Sequence, residues 1–331
     1  MQNLIKQYID GINIGDVQSH RNLSVFPLVS DYALDLDYLT LDEALDKDTV
    51  DVVELDQDGS VPELKVVNKS DTMILILDGE ELVGAKQNRI VNTTILIAGK
   101  DTVVIPVSCV EQGRWSYDSK KFSSQKRVMS PRMRAGKSEQ VRFSLEMSDN
   151  FSSDQGTIWN DISAQALRMD AESSSSAMSA IYKKKEQSIK DYTKHFSLTN
   201  SQIGAVFVIN GQVVGMDSFG KPETFKKVFE KLVESYALDA IDTPESKKGS
   251  KVEKDQATKF LQSPGACKVE PHPSVGLGTD CRLESKSITG FALAHDDKVL
   301  HLSAFSRKGM GNKEKSFTRM IRSSLRRRFR S

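Results

Sequence analysis

Residues 75–115 read LILDGEELVGAKQNRIVNTTILIAGKDTVVIPVSCVEQGRW. Two apolar runs, 73–77 and 102–107, each end in a polar cluster. Asp78-Gly79-Glu80-Glu81 and then Lys86-Gln87-Asn88-Arg89 follow the first run; Cys109-Val110-Glu111-Gln112-Gly113-Arg114-Trp115 closes the second. Strands that end this way place polar groups along one sheet edge, where binding sites concentrate. Between them, residues 92–98 form another β-rich run, and Gly99-Lys100-Asp101 reads as a turn into 102–107. Connections this short are too brief for parallel crossovers and predict antiparallel pairing.

N-terminal to this stretch, residues 2–9 suit a short amphipathic helix broken by Gly11 and Gly15. Residues 17–19 and 23–29 read as strands, with Pro27 predicting an edge position. Thr40-Leu41-Asp42-Glu43 has the capping-box pattern of a short helix. Residues 50–55 and 64–67 read as strands around a turn at 56–59, with their acids on solvated faces. C-terminal to it, residues 116–137 carry seven Lys/Arg and one Asp and read as a long exposed loop. Residues 138–147 show no clear period. Ile158, Ile162, Ala166 and Met169, then the 173–196 segment, predict a helical hairpin. Asn210-Gly211 between two β-rich runs is a type I′ hairpin signal. Pro222 opens a further helix to 238, with one apolar stripe. Residues 243–256 read as a polar loop, and 281–283, 287–294 and 299–305 as closing strands. The expected class is α+β: a largely antiparallel or mixed sheet core, a helical hairpin and one further packed helix.

The chain has 331 residues, 38% apolar and 27% charged, which suits a globular protein. No apolar run is long enough to span a bilayer. The N-terminus lacks the basic and apolar regions of a secretory signal, and three cysteines make no disulfide framework, so a cytoplasmic location is expected. The net charge of +1 hides a strong polarity. Residues 31–63 hold twelve acids and one Lys, whereas residues 307–331 hold ten Lys/Arg and one Glu. Residues 306–331 read as a basic amphipathic tail, with Phe317, Met320, Ile321, Leu325 and Phe329 at helical spacing. Its partners would be nucleic acid, an anionic membrane surface or an acidic protein patch.

Several strings together, DGEELVGAKQNR (78–89), IPVSCVEQGRW (105–115), GQVVGMDSFGKPETF (211–225), GLG (276–278) and VLHLSAF (299–305), resemble one family. It is the ARPP-type domain, whose name abbreviates ADP-ribosylglycohydrolase and rhodanese-phosphatase associated. The resemblance covers residues 15–305, so 1–305 is expected to be one domain, with a subdivision near 150–200 left open. It implies a nucleotide-related, ADP-ribose-linked context and no particular reaction.

Glu80 and Glu111 are the candidate catalytic carboxylates, for general acid–base work or for holding an ion. Glu81, Lys86, Gln87, Asn88, Arg89, Asn92, Arg114 and Trp115 are the candidate ligand-binding residues. Arg offers a two-pronged fork to phosphate, and Trp a stacking face. Against this stand a structural reading of the same charges as an internal network and of Trp115 as a core anchor. Cys109 is either a nucleophile or an inert buried thiol. Cys267, His272 and Cys281 lack zinc-ligand spacing, so no metal is assigned, and no cofactor is named. Three functions remain: binding of a small anionic nucleotide-type ligand, a non-enzymatic module docking through the basic tail, and a carboxylate- or metal-assisted hydrolase. Donors and cations outnumber acids and nucleophiles, which favours the first.

Overall fold

A computed structural model describes residues 1–32, 34–55, 62–245 and 253–308. The expected turn at 56–59, the middle of the 243–256 segment and the basic tail beyond Lys308 lie outside the described residues. The described residues contain seven helices: α1 (Gln2–Asp10), α2 (Leu41–Asp46), α3 (Pro131–Ser148), α4 (Gln155–Arg168), α5 (Met178–Thr193), α6 (Pro222–Asp242) and α7 (Lys254–Gln262). With mostly antiparallel sheets, they make the α+β fold expected from the sequence.

The largest sheet has nine strands. Its centre is the hairpin Gln202–Ile209/Gln212–Phe219, turned at Asn210 and Gly211, both at positive φ (50° and 75°) as a type I′ turn requires. Lys298–Ser306, Ile288–His295, Thr279–Glu284 and Lys268–Pro273 extend it on one side. Leu23–Val29 pairs on the other side and is not an edge strand. Pro27 is tolerated there because it falls between two short partners, Asn13–Ile14 and Gln18–His20, where no ladder donor is needed. A six-stranded sheet runs Phe122–Val128, Glu80–Gly84, Arg89–Val91, Thr102–Cys109, Glu63–Asn68, Val50–Val53. In the third sheet Ile95–Ile97 and Tyr38–Thr40 flank Met73–Ile76, and Tyr38–Thr40 lies parallel to it. Ile95–Ile97 therefore pairs back onto Met73–Ile76, while Thr102–Cys109 pairs with Glu63–Asn68 and Arg89–Val91.

The capping box at Thr40 is formed, with Glu43 N–H donating to Thr40 Oγ1 and Thr40 N–H to Glu43 Oε2. α6 buries Phe225, Leu232, Val233 and Tyr236 against the central hairpin. α4 and α5 form the expected helical pair over Ile90 and Val110.

The main correction concerns residues 116–137. They are not one exposed loop. Phe122–Val128 is a strand on Glu80–Gly84, and α3 starts at Pro131. The basic residues deceive because two of them are internal: Arg134 and Lys137 are wholly buried. Arg134 forks onto Asp217 at 2.8 and 3.1 Å, and its Nε reaches Asp78 at 3.2 Å. Lys137 also binds Asp78 and donates to the carbonyls of Val91 (3.1 Å) and Asn92 (3.0 Å). Tyr236, Ser303 and, at 3.4 Å, His301 Nε2 complete the shell of Asp217. The polar start Ser130-Pro131, with Pro at the first helical position, is the sequence signal that would have revealed α3. The 243–256 reading needs a smaller correction, since helix α7 begins inside it at Lys254.

Burial works against the Asp217 charge, but Arg134 and His301 outweigh it and hold the carboxyl far below the usual range. Its stabilising contribution is therefore present above pH ~4 and fades as pH falls below that. Asp217→Ala, which leaves the Arg134 fork unpaired with only Nε still bound to Asp78, should cost about 3–5 kcal/mol in denaturant unfolding at pH 7. The difference from wild type should shrink as pH is lowered below about 4.

Candidate functional site

The two polar strings meet through sheet pairing. Leu82 lies opposite Arg89, Glu81 opposite Ile90, and Arg89 opposite Cys109. Gly84 ends the first strand at φ +124°, and a Cβ there would stand 2.5 Å from Ser119 Oγ. That close approach, with Ala85 at φ 42°, turns the chain sharply into Lys86-Gln87-Asn88.

Most polar groups in the strings are spent inward. Arg114 donates to Glu111 Oε2 (2.7 and 3.0 Å), to the carbonyls of Ala85 (2.7 Å) and Ser116 (3.1 Å), and to Asn88 Oδ1 (3.1 Å). It pins the loop that carries Trp115. Glu111 also accepts from Asn88 N–H at 3.2 Å. Burial pushes its carboxyl up, but Arg114 and its other hydrogen bonds prevail and hold it below the usual range. Gln87 bridges Arg89 and the Glu111 carbonyl at 3.0 and 2.9 Å. Asn92 ties Ser108 Oγ (2.7 Å) to the Phe151 carbonyl (3.0 Å). These groups are the internal network of the structural reading.

Glu80 belongs to a different network. Its carboxylate takes Lys231 and the Leu77 N–H, and Lys231 also binds Asp42 at 2.7 Å. Burial disfavours the Lys231 ammonium, yet Glu80 and Asp42 outweigh it and raise its pKa. Lys231 lines a cleft of about 290 Å³ with Arg127, Tyr182 and Glu234. Glu80 and Glu111 thus answer to separate cations, Lys231 and Arg114, and do not form a facing pair. Glu81, on the other face of its strand, is fully buried with neither oxygen hydrogen-bonded among the described residues. Burial pushes its carboxyl up to about 7, with Arg127 opposing and Glu111 adding. Cys109 is buried, which pushes its thiol up and leaves it a poor nucleophile. Among the described residues no three His, Cys, Asp or Glu side chains converge as metal ligands.

Arg89 is different. It is 0% exposed; Nη1 donates to Gln87 Oε1, the Cys109 thiol is the other polar side chain beside the guanidinium, and Nε and Nη2 make no hydrogen bond of good geometry among the described residues. Above it lies Trp115, which is not a core anchor but 50% exposed, with the Arg89 guanidinium 5.9 Å from its ring centre. Lys86 Nζ sits 5.2 Å from both the Trp115 and the Tyr117 rings. Burial lowers the Arg89 pKa, while Cys109 and Glu54 act to raise it. Tyr117 and Glu54 are the residues that sequence reasoning missed. Glu54 is 8% exposed, not solvated as its acidic neighbourhood suggested. The alternation gives it away: Val50 and Val52 are buried, and Glu54 shares their parity.

A family model for the ARG and Rhodanese-Phosphatase-superfamily-associated Protein domain matches residues 11–305. The chain belongs to the ARPP-1 family. That family is associated with ADP-ribosylglycohydrolases and with the rhodanese-phosphatase superfamily. Neither the curated proteins nor the solved structures contain a match. Among the described residues of this ARPP-1 protein, no helix is long and apolar enough to cross a membrane.

Because folded Glu81 holds its proton more tightly than the unfolded chain, its contribution grows as pH falls from 8 toward 5. Glu81→Gln should remove about 2–3 kcal/mol of the stability difference between pH 5 and pH 8, read by denaturant melts at the two pH values.

Proposed function

We propose that this ARPP-1 protein binds a small anionic ligand of nucleotide type at the Arg89–Lys86 corner beneath Trp115 and Tyr117. The observation that carries this reading is the Arg89 guanidinium, wholly buried with two N–H-bearing nitrogens unspent. A buried unsatisfied donor costs about 1–3 kcal/mol, more when charged, and an arriving acceptor would relieve that cost. A phosphate oxygen pair matches the guanidinium edge, and Lys86 adds a second positive charge. The exposed faces of Trp115 and Tyr117 offer a base or sugar ring a stacking surface. Gln87, Asn88, Asn92, Arg114 and Glu111 act in this reading as the frame that aims Arg89, not as ligand contacts. The family association with ADP-ribose and phosphate chemistry is consistent with such a ligand.

Binding, rather than turnover, is what the geometry supports. Glu80 and Glu111 are each neutralised by their own cation, so the two-carboxylate hydrolase reading has no facing pair to rest on.

Titrating ADP-ribose, NAD and ATP calorimetrically should give saturable heat with at least one of them. Arg89→Lys, which keeps the charge and loses the fork, should weaken that binding by about tenfold or more. Trp115→Ala should weaken it by about two- to tenfold through lost stacking. Flat heats for all three nucleotides in the wild type would remove the proposal.

A further inference from the structure

The cleft of about 290 Å³ that Lys231 lines is built from α2, α5, α6 and the Phe122–Val128 strand. None of Lys86, Arg89, Trp115 and Tyr117 lines it. Its walls are charged, and most of that charge is already matched. Lys126 pairs with Asp46, Lys190 with Glu186, Lys227 with Glu43, and Lys231 with both Asp42 and Glu80. Three lining groups are left over. The side chains of Arg127, Glu230 and Glu234 make no hydrogen bond and no ion pair among the described residues.

The Arg127 guanidinium stands over the Tyr182 ring, 5.3 Å from its centre. A ring attracts the charge but supplies no oxygen to the N–H donors. Buried Glu81 feels the Arg127 charge, yet neither of its oxygens accepts a hydrogen bond. Glu230 and Glu234 are one turn apart on the same face of α6, a spacing at which like charges repel. Burial first, and then Glu230, raise the Glu234 carboxyl above its usual range, and Arg127 and Lys190 offset them only in part.

A simple anion in this cleft would satisfy Arg127 and meet two carboxylates. A simple cation would satisfy the carboxylates and meet Arg127. A molecule carrying both signs answers all three groups, because a carboxylate fits the guanidinium fork and an ammonium donates to carboxylates. We propose that this cleft is a second binding site, for a small zwitterion that sets its carboxylate on Arg127 and its ammonium against Glu230 and Glu234. The site is independent of the Arg89 corner and takes a ligand of amino-acid type rather than a nucleotide.

The test titrates three probes calorimetrically against the full chain at pH 7. They are L-lysine, 1,5-diaminopentane, which is lysine without its carboxylate, and hexanoate, which is lysine without either amine. L-Lysine should bind more tightly than either of the others by about tenfold or more, the worth of a charge-assisted hydrogen bond. Arg127→Gln should bring L-lysine down to the level of the diamine and leave the diamine no weaker. Glu234→Gln should weaken L-lysine and the diamine together. Thermal melts check that each variant is folded; Arg127→Lys, which keeps the charge and loses the fork, should retain part of the preference. Flat heats for L-lysine, a diamine that binds as tightly as L-lysine, or a preference untouched by Arg127→Gln would overturn the proposal.

Discussion

Asp78 is the pivot of this molecule. Two cations from one helix, Arg134 and Lys137 of α3, converge on its carboxylate in the buried interior. Arg134 also grips Asp217 on the central hairpin of the large sheet, and Lys137 grips the carbonyls of Val91 and Asn92. Burying an ion is costly unless it is paired and hydrogen-bonded, and these three groups meet that need in one another. Those requirements fix where α3 must pass and tie the nine-stranded sheet to the turn between Met73–Ile76 and Glu80–Gly84 that carries Asp78. Burial lowers the Lys137 pKa to about 8 against the pull of Asp78, a sign of how dry the site is.

That constraint reaches the candidate site directly. Gly79 N–H donates to Val91 O, and Met129 N–H to Gly79 O, so the Glu80–Gly84/Arg89–Val91 hairpin is stapled at its base beside the ion cluster. At the other end Arg114 binds the carbonyls of Gly84 and Ala85 and the side chain of Asn88. Arg89 is thus held on a strand clamped at both ends, the rigid mounting that precise recognition requires. Trp115 and Tyr117 sit on the exposed loop beyond Arg114, over this mounting.

The parts of the fold legible in the sequence are those whose local chemistry has one meaning. Asn210-Gly211 permits little but a tight hairpin, Thr40 to Glu43 spells a cap, and the apolar stripe of α6 points one way. The illegible parts share a cause: polarity was read as exposure. Arg134, Lys137 and Glu54 look solvated by composition, and only their tertiary partners or, for Glu54, strand parity reveal otherwise. The candidate site was half legible for the same reason. Sequence brought the two strings to one place but could not separate Arg114, which saturates its donors on the frame, from Arg89, which does not. Nor could it show that Glu80 turns toward Lys231 while Glu81, its neighbour, faces the other side of the strand.

The central claim is that Arg89 keeps hydrogen-bonding capacity in reserve for an incoming anion. Arginine side-chain NMR of the Nε–H signals, followed while ADP-ribose is added, tests this most directly. The expected result is a saturating shift of the Arg89 Nε–H signal with slowed solvent exchange, while Arg134 Nε–H, already bound to Asp78, stays in place. An Arg89 signal unmoved up to millimolar ligand would contradict the account.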